Sequence, residues 1–378
     1  MGANKRLRLS AGHASVDLYQ GIVPVLVPFL VAERHYGYLG VSGFVLAASL
    51  LSSVIQPLFG VLTDRWAMPW LVPVSTLAAG LGVALVGQAE SYPLALAAIA
   101  LTGFGVAAYH PEAARLARAV TGGDHVGMSW FSLGGNVGFA LAPVFATPVL
   151  AAGGLAATPL LLLPAVLGTL VTLPLLGRRA RGTTAPRAGG RDDWPAFRML
   201  SAVVILRSIA YIGLSSFLGL FVQQRVHAGD AAGGAALFVL FAGGAAGTVL
   251  GGRLAGRWGR IRTMRGAYGM AVLAIAGVVL VPGPALYGFV AVAGIALYVP
   301  FSLHITLGQD YLPNRVGTAS GVTLGLAVSV GGVLAPALGA LADATSLRAM
   351  LAALTVFPVM AWILASRLRE PARLEQSS

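Results

Sequence analysis

Two charged side chains stand inside long apolar segments of this sequence, where their chemistry would be unusual. Asp17 lies in the first apolar segment, and His13 and Gln20 share its face if that segment is helical, because residues three and four positions apart are neighbours on a helix. Arg207 lies in a later segment, with Tyr211 one turn further on. Carboxylates and imidazoles exchange protons, whereas a guanidinium stays charged and only donates hydrogen bonds.

We expect Asp17 and Arg207 to face each other, with proton exchange as one role of the pair. Two alternatives remain open from the residues alone. The two charges neutralise each other without further function, or backbone and Ser groups satisfy the carboxylate of Asp17.

A second polar group, His110-Pro111-Glu112, lies near the end of the fourth apolar segment. Glu112 is a candidate proton site or substrate contact; the alternative is an ion pair with Arg115 three residues on. His13 and His110 titrate near neutral pH and are candidates for a proton relay, or they are hydrogen-bonded core residues. Three more polar side chains are candidates for lining a cavity: Gln56, Asn136 and His304.

The composition shows why the few charged residues inside the apolar segments are informative. Hydrophobic residues make up 57% of the 378 positions and charged residues 10%, against roughly 25% charged residues in soluble domains. The apolar residues form blocks that reach the length of about 20 residues needed to cross a bilayer as a helix. An ionisable side chain at that depth costs roughly 2.5–3.5 kcal/mol, so each one is a candidate functional residue.

Other classes of protein are disfavoured. The net charge of +12 suggests nucleic-acid binding, but the arginines stand in short loops between apolar blocks and no exposed aromatic residues separate them. Cysteine is absent, which excludes disulfides and thiol chemistry. We find no metal-ligand spacing, no phosphate-binding loop and no nucleophile–His–acid set. We therefore expect no enzyme, no cofactor, no metal and no nucleic-acid partner.

The hydropathy pattern predicts an all-α integral membrane fold with twelve transmembrane helices in two six-helix bundles. Gly is frequent, with 50 residues, and small residues let membrane helices pack closely. The predicted spans are 10–32, 40–62, 69–88, 92–114, 126–150, 155–177, 199–224, 232–252, 264–281, 285–307, 316–341 and 347–366.

The basic residues predict the orientation. With these spans, 21 of the 25 Lys and Arg residues fall on one side of the membrane, and Arg34, Arg225 and Arg348 fall on the other. The positive-inside rule then places both termini in the cytoplasm. The predicted location is the cell membrane.

The two halves repeat each other. Short matches occur in order at an offset of 192 or 193 residues, as for Gly60 with Gly252 and Gly138 with Gly331. Corresponding helices run in the same direction, which indicates a parallel repeat about an axis along the membrane normal. The predicted organisation is an N-terminal bundle (1–177), a cytoplasmic linker (178–198) and a C-terminal bundle with a short tail (199–378).

The residues that follow the second span resemble the signature of the major facilitator superfamily. Gly60 and the pair Asp64-Arg65 match it, and Gly252 with Arg257 is the second-half copy, which lacks the acid. The resemblance implies a gating loop in which Asp64 sits against the positive N-terminal end of a helix in the other half. The alternative is an ordinary solvated turn.

Within that superfamily, the first four spans resemble the fosmidomycin-resistance group of drug efflux proteins. Many proton-coupled exporters have an Arg four residues before a Gly in the fourth helix, but here Ile99 precedes Gly103. The resemblance is carried by Gly12-His13-Ala-Ser-Val-Asp17-Leu-Tyr19-Gln20-Gly21, Gln56-Pro57-Leu-Phe-Gly60 and Gly103-Phe-Gly105-Val-Ala-Ala-Tyr-His110-Pro111-Glu112.

These features favour a secondary transporter, and the resemblance implies a proton-coupled efflux antiporter for a small drug-like molecule that works by alternating access. The alternative is an importer or proton symporter of a small metabolite on the same fold. No ATP-binding motif is present, so transport must be driven by an ion gradient or by the concentration gradient of the substrate itself. The expected partners are a small-molecule substrate, protons and the lipid bilayer, and the expected state is a monomer. A membrane enzyme or a sensor is disfavoured, because neither a catalytic cluster nor a soluble domain is visible.

Overall fold

The helices of the first half are long and closely follow the apolar blocks. The computed structural model describes residues 2–66, 68–121, 125–175, 191–226 and 229–371, and every regular element within these ranges is helical. The first-half helices are α1 (Gly2–Arg34), α2 (Tyr38–Arg65), α3 (Leu71–Val86), α4 (Tyr92–Thr121), α5 (His125–Gly153) and α6 (Leu163–Thr172). Short 3₁₀ segments, Leu155–Leu162 and Leu173–Leu175, flank α6.

The second half has the same pattern with two interruptions. Its helices are α7 (Trp194–Val226), α8 (Gly229–Trp258), α9 (Arg260–Leu280), α10 (Leu286–Tyr298), α11 (Phe301–Tyr311), α12 (Val316–Ala344), α13 (Leu347–Ala353) and α14 (Val356–Ala365), with a 3₁₀ turn at Gly283–Ala285. The predicted span 285–307 is therefore broken between α10 and α11. Pro300 explains the break, because proline has no N–H to donate within a helix.

The described helices agree with the predicted membrane fold. Ten segments are long and apolar enough to cross a membrane, and two shorter apolar helices, Tyr38–Leu50 and Leu71–Val86, occupy the remaining predicted positions. Leucines on the outer faces are exposed at helical spacing, as at Leu163, Leu167 and Leu170 of α6. An apolar face that no protein group covers is what a lipid-facing helix presents.

Several predicted boundaries need correction. α2 continues to Arg65 and α8 to Trp258, so the signature residues that we predicted in loops lie in the last turns of helices. α7 begins at Trp194, within the predicted linker 178–198. Residues 178–190 lie outside the described ranges, and the division into two bundles at the linker stays a prediction.

The helices are grouped into two compact units. Unit 1 comprises Met1–Thr183, Ser215–Ala242 and Gly332–Leu347; unit 2 comprises Thr184–Leu214, Gly243–Gly331 and Arg348–Ser378.

Within unit 1, glycines let α1 and α5 approach closely. A side chain at Gly134 would overlap the backbone of Ser10, and one at Gly138 would overlap the carbonyl of Ala14. These two positions are one turn apart, which gives a small-residue stripe of the kind that brings membrane helices together. The contact holds the face of α1 that bears His13 and Asp17 directly against α5.

Within unit 2, α7 and α12 make the equivalent approach. A side chain at Gly331 would overlap the carbonyl of Ser208. Gly331 is the repeat partner of Gly138, so Ser208 occupies the position of Ala14, 194 residues earlier. The packing therefore sets an offset of 194 between α1 and α7, two residues more than the identities in the sequence indicate.

Candidate functional site

Asp17 and two histidines form a buried cluster in unit 1. The carboxylate oxygen Oδ2 of Asp17 lies 3.2 Å from Nε2 of His13, and Oδ1 lies 3.2 Å from Nε2 of His110. The two Nε2 atoms are 3.3 Å apart. Asp17 is 6% exposed and His13 8% exposed, whereas the side chain of His110 is 24% exposed, so the cluster meets solvent only at His110.

Hydrogen bonds to the backbone set the tautomer of both rings. Nδ1 of His13 donates to the carbonyl oxygen of Phe131 at 2.8 Å, and Nδ1 of His110 donates to that of Val106 at 2.7 Å. A carbonyl only accepts, so each Nδ1 carries a proton. In the neutral rings, both Nε2 atoms are then acceptors that face an acceptor-only carboxylate. The contacts become hydrogen bonds only when a proton binds between Asp17 and a histidine.

The cluster can therefore bind one or two protons between groups that are held in position. Oδ1 of Asp17 is buried and has no hydrogen-bond partner until His110 is protonated. By distance alone, the three ligand atoms, which lie within 4.8 Å of one another, would also suit a cation. Separations of 3.2 Å are ordinary N–H···O distances, so we assign protons to these contacts.

Three helices position this cluster. α1 supplies His13 and Asp17 one turn apart, α4 supplies His110, and α5 supplies the wall. A side chain at Gly135 of α5 would overlap both His13 and Asp17. The ring of Phe131 stacks on His13 with centroids 4.2 Å apart. The sequence analysis did not identify Gly135 and Phe131, although their spacing of four residues places them on one face of a helix.

Arg207 lies in unit 2 and is 1% exposed. Its Nε donates to the carbonyl oxygen of Leu297 at 2.5 Å, and its Nη2 is buried without a hydrogen-bond partner. Aromatic rings surround the guanidinium, whose carbon lies 4.6 Å from the ring centre of Tyr298, 5.2 Å from that of Phe301 and 5.6 Å from that of Tyr211. Cation–π attraction partly replaces the water that this charge has lost.

His304 and Tyr268 form a second buried polar pair in unit 2. The hydroxyl of Tyr268 lies 2.8 Å from Nε2 of His304, and the two rings stack. His304 is 2% exposed, and its Nδ1 has no hydrogen-bond partner. The prediction that His304 lines a cavity stays a prediction, but the structure places it beside Tyr268 in the core of unit 2.

The predicted pairing of Asp17 with Arg207 joins residues of different units and stays a prediction. Within its own unit, Asp17 is partnered by imidazoles and not by the backbone and Ser groups that we considered as an alternative. Within its own unit, Arg207 is partnered by a carbonyl and aromatic rings.

Glu112 forms the ion pair that we gave as the alternative, and its role as a proton site or substrate contact stays a prediction. It is 0% exposed and pairs with Arg115 through both carboxylate oxygens, with a 2.9 Å bond from Nε of Arg115. This is the i,i+3 ion pair of the alternative interpretation. A carboxylate held by a guanidinium is a weaker candidate for proton exchange than one held by imidazoles.

The remaining predicted residues are less informative. Gln20, Gln56 and Asn136 are half-buried. In the predicted gating loop, Gly60 is half-buried within α2, and the side chains of Asp64 and Arg65 lie outside the described part of the structure. Gly252 and Arg257 are exposed on α8. The role of Asp64 as a latch therefore stays a prediction.

The helical fold, with ten described segments long and apolar enough to cross a membrane, defines a multi-pass membrane protein. A family model for the Major Facilitator Superfamily matches residues 9–336, and the chain belongs to that family. Its members are transporters, which confirms that this protein is not an enzyme.

Three known proteins show the likeness at different levels. The fosmidomycin resistance protein of Escherichia coli (strain K12) is 29% identical over 355 residues, which cover 90% of this chain and 86% of that protein. The uncharacterized MFS-type transporter YfnC of Bacillus subtilis (strain 168) is 30% identical over 365 residues, which cover 92% and 88%. The crystal structure of a bacterial homolog to the human lysosomal transporter Spinster, inward-facing and occupied, superposes with a TM-score of 0.79 at 18% identity over 96% of each chain. That similarity shows the fold alone.

Proposed function

We propose that this transporter is a proton-coupled efflux antiporter for a small drug-like molecule, and that His13, Asp17 and His110 bind the coupling proton. The observation that carries the proposal is the contact of two histidine Nε2 atoms with one buried carboxylate, each at 3.2 Å. Both rings already use Nδ1 to donate to the backbone, so every further proton must bind at the cluster.

Binding of protons changes the charge of the cluster within an apolar surrounding. With neutral rings and an ionised Asp17 the cluster is an anion, and one proton makes it neutral. Because a desolvated charge is costly, the two protonation states favour different conformations of the helices around the cluster. That linkage between protonation and conformation is what alternating access requires for coupling.

The direction and the substrate class come from similarity. The Escherichia coli relative is named for resistance to fosmidomycin, and efflux is a direct way for a membrane transporter to confer resistance. We propose that the protein acts in the cell membrane as a monomer, with both termini in the cytoplasm as the distribution of basic residues predicts. Protons then enter the cell as the drug-like molecule leaves it.

Everted membrane vesicles from expressing cells test the proposal directly. Respiration acidifies their interior, so an efflux antiporter should accumulate added fosmidomycin inside them, and a protonophore should abolish the accumulation. Asp17→Asn removes the proton-binding carboxylate while keeping its shape, so it should abolish gradient-driven uptake and retain exchange of fosmidomycin without a gradient. Asp230→Asn, which removes an exposed acid at the start of α8, is the matched control.

Each outcome has a definite meaning. Full gradient-driven uptake by Asp17→Asn would overturn the assignment of the proton site. Uptake that occurs only in right-side-out vesicles would establish the alternative, an importer or symporter. Uptake that the protonophore does not affect would exclude proton coupling.

A further inference from the structure

Arg207 has a buried positive charge that unit 2 does not neutralise. The described acids of this unit that form ion pairs contact other arginines: Asp310 and Glu370 bind Arg260, and Asp192 binds Arg315. Among the described residues of unit 2, no carboxylate lies within ion-pair distance of Arg207. A guanidinium in an apolar interior without a counter-charge is unusual, since buried charges in proteins are paired.

The internal repeat shows which residue of unit 2 stands where unit 1 has its acid. With the offset of 194 that the close approach of α7 and α12 sets between α1 and α7, His13 corresponds to Arg207 and Asp17 to Tyr211. The same two positions of the first helix of each half therefore carry buried polar side chains. In unit 1 the second of these positions, Asp17, supplies the anion of the cluster. In unit 2 this position is a tyrosine, so the counter-charge of Arg207 must come from elsewhere.

The donors around Arg207 suit an oxyanion. Nη2 is buried and unused, and a guanidinium presents its N–H groups as a planar fork that matches two oxygens. Nδ1 of His304 is also unused, and it is a donor whenever the hydroxyl of Tyr268 donates to Nε2. Phe301, whose ring centre lies 5.2 Å from the guanidinium carbon of Arg207, stands one turn before His304 on α11. The two unused polar atoms therefore lie in the same part of unit 2.

The backbone beside Arg207 is interrupted. Tyr298 ends α10 and Phe301 begins α11, on the two sides of Pro300, and the carbonyl of Leu297 binds Arg207 from the last turn of α10. Val299 and Pro300 keep right-handed helical dihedral angles, so the interruption is a proline kink. The rings of Tyr298 and Phe301 that contact the guanidinium therefore lie on the two sides of this kink.

We propose that Arg207, with His304, binds the acidic group of the transported molecule, so that the substrate class is a small organic oxyanion such as a carboxylate or a phosphate ester. Tyr211, Tyr298 and Phe301 contact its apolar body. The inference rests on the proposed function, because it assigns the substrate of the same transport cycle. The bound anion supplies the counter-charge that Tyr211 does not.

Ligand-induced stabilisation of the purified full-length protein in detergent tests this site. The probes are benzoate and phenyl phosphate, with the neutral benzamide and benzyl alcohol as comparisons. The acids should raise the melting temperature with concentration, and the neutral compounds should not. Arg207→Gln should weaken the apparent affinity for the acids about tenfold or more, since it removes the charge-assisted fork. Arg253→Gln, which removes an exposed arginine of α8, should leave the response unchanged.

An inorganic anion could occupy the same donors, so the measurement is repeated with sodium chloride and with inorganic phosphate in Tris buffer. If chloride or phosphate raises the melting temperature and the organic acids cause no further rise, the substrate assignment is overturned. No shift with either acid, equal shifts with acids and neutral compounds, or an unchanged response in Arg207→Gln would overturn it as well. If Arg207→Gln does not fold, Arg207→Lys replaces it, because lysine keeps the charge and loses the fork.

The two proposals fail separately. A response to acids that depends on Arg207, together with fosmidomycin flux that ignores the proton gradient, refutes the proton-coupled function and leaves the anion site. Proton-driven flux with no response to acids refutes the anion site alone.

Discussion

Asp343 Oδ2 accepts a hydrogen bond of 2.8 Å from the backbone N–H of Leu39, in the first turn of α2. Oδ1 of the same carboxylate accepts a second bond, of 3.0 Å, from the N–H of Tyr38. Asp343 stands in the last turn of α12, where a negative charge opposes the dipole of its own helix, and it is instead placed on the positive end of α2. Within unit 1, this carboxylate ties the end of α12 to the start of α2.

We expect Asp343→Ala to destabilise the protein by about 1 kcal/mol, the usual effect of removing a helix N-cap, and Asp343→Asn to lose less because the amide oxygen still accepts. Thermal unfolding of the purified protein in detergent measures the difference. Asp230→Ala removes another exposed acid at a helix start and serves as the control. Equal melting temperatures for Asp343→Ala and the wild type would show that the cap contributes nothing.

The same chemistry is predicted for Asp64, the acid of the signature that follows the second span. If Asp64 latches a helix of the other half, Asp64→Asn should reach the membrane in normal amounts and yet transport poorly, because the latch is weakened and the fold is not. Quantitative immunoblotting of membranes and fosmidomycin flux in vesicles measure the two effects. Flux at the wild-type level would show that Asp64 does not have the gating role that the resemblance implies.

Gly135 tests the geometry of the proton cluster without changing any titratable group. A methyl group at this position overlaps His13 and Asp17, so Gly135→Ala should displace the carboxylate and reduce proton-driven flux about tenfold, which corresponds to ~1.4 kcal/mol. Gly266→Ala in α9 is a matched control, because a side chain there meets no other atom within 4 Å. Equal flux in the two variants would mean that the spacing of the cluster is unimportant.

The orientation prediction depends on the distribution of arginines. Reporters fused within 178–198 and at the C-terminus should read cytoplasmic, and reporters after Arg34 or Arg348 should read external. An alkaline phosphatase and green fluorescent protein pair measures both states. A reporter that reads on the opposite side from the one expected would break the twelve-span topology.

The sequence could predict contacts between residues of one helix, but not contacts between different helices. The spacing of His13 and Asp17 placed them on one face of α1, and the structure shows them in contact. The pair of Glu112 with Arg115 was equally local, and it was one of the two interpretations that the spacing allowed. The contact of His110 with Asp17 joins α4 to α1, and no pattern within either helix encodes it.

Two features were missed although a signal existed. Pro300 marks the break between α10 and α11, but the apolar run around it continues, so hydropathy alone predicted one unbroken span. Asp343 was passed over because it lies just beyond the predicted span 316–341, whereas α12 continues to Ala344 and an acid at the C-terminal end of a helix indicates a partner elsewhere.

The last prediction decides which partner Asp17 uses. A double-mutant cycle measures the interaction between two side chains, and residues in direct contact couple by roughly 0.5–3 kcal/mol. We expect Asp17→Asn and His110→Gln to be coupled in thermal stability, because each removes one side of the same 3.2 Å contact.

The cycle with Arg207→Ala tests the pairing predicted from the sequence. If Asp17 and Arg207 face each other at any stage of transport, Arg207→Ala leaves an acid unpaired and should lower membrane yield more than Asp17→Asn does. The double variant should then recover yield relative to Arg207→Ala alone. Additive losses, with coupling confined to His110, would contradict the pairing. Asp17 would then exchange its proton with the histidines of its own unit, and Arg207 would be free to hold the substrate.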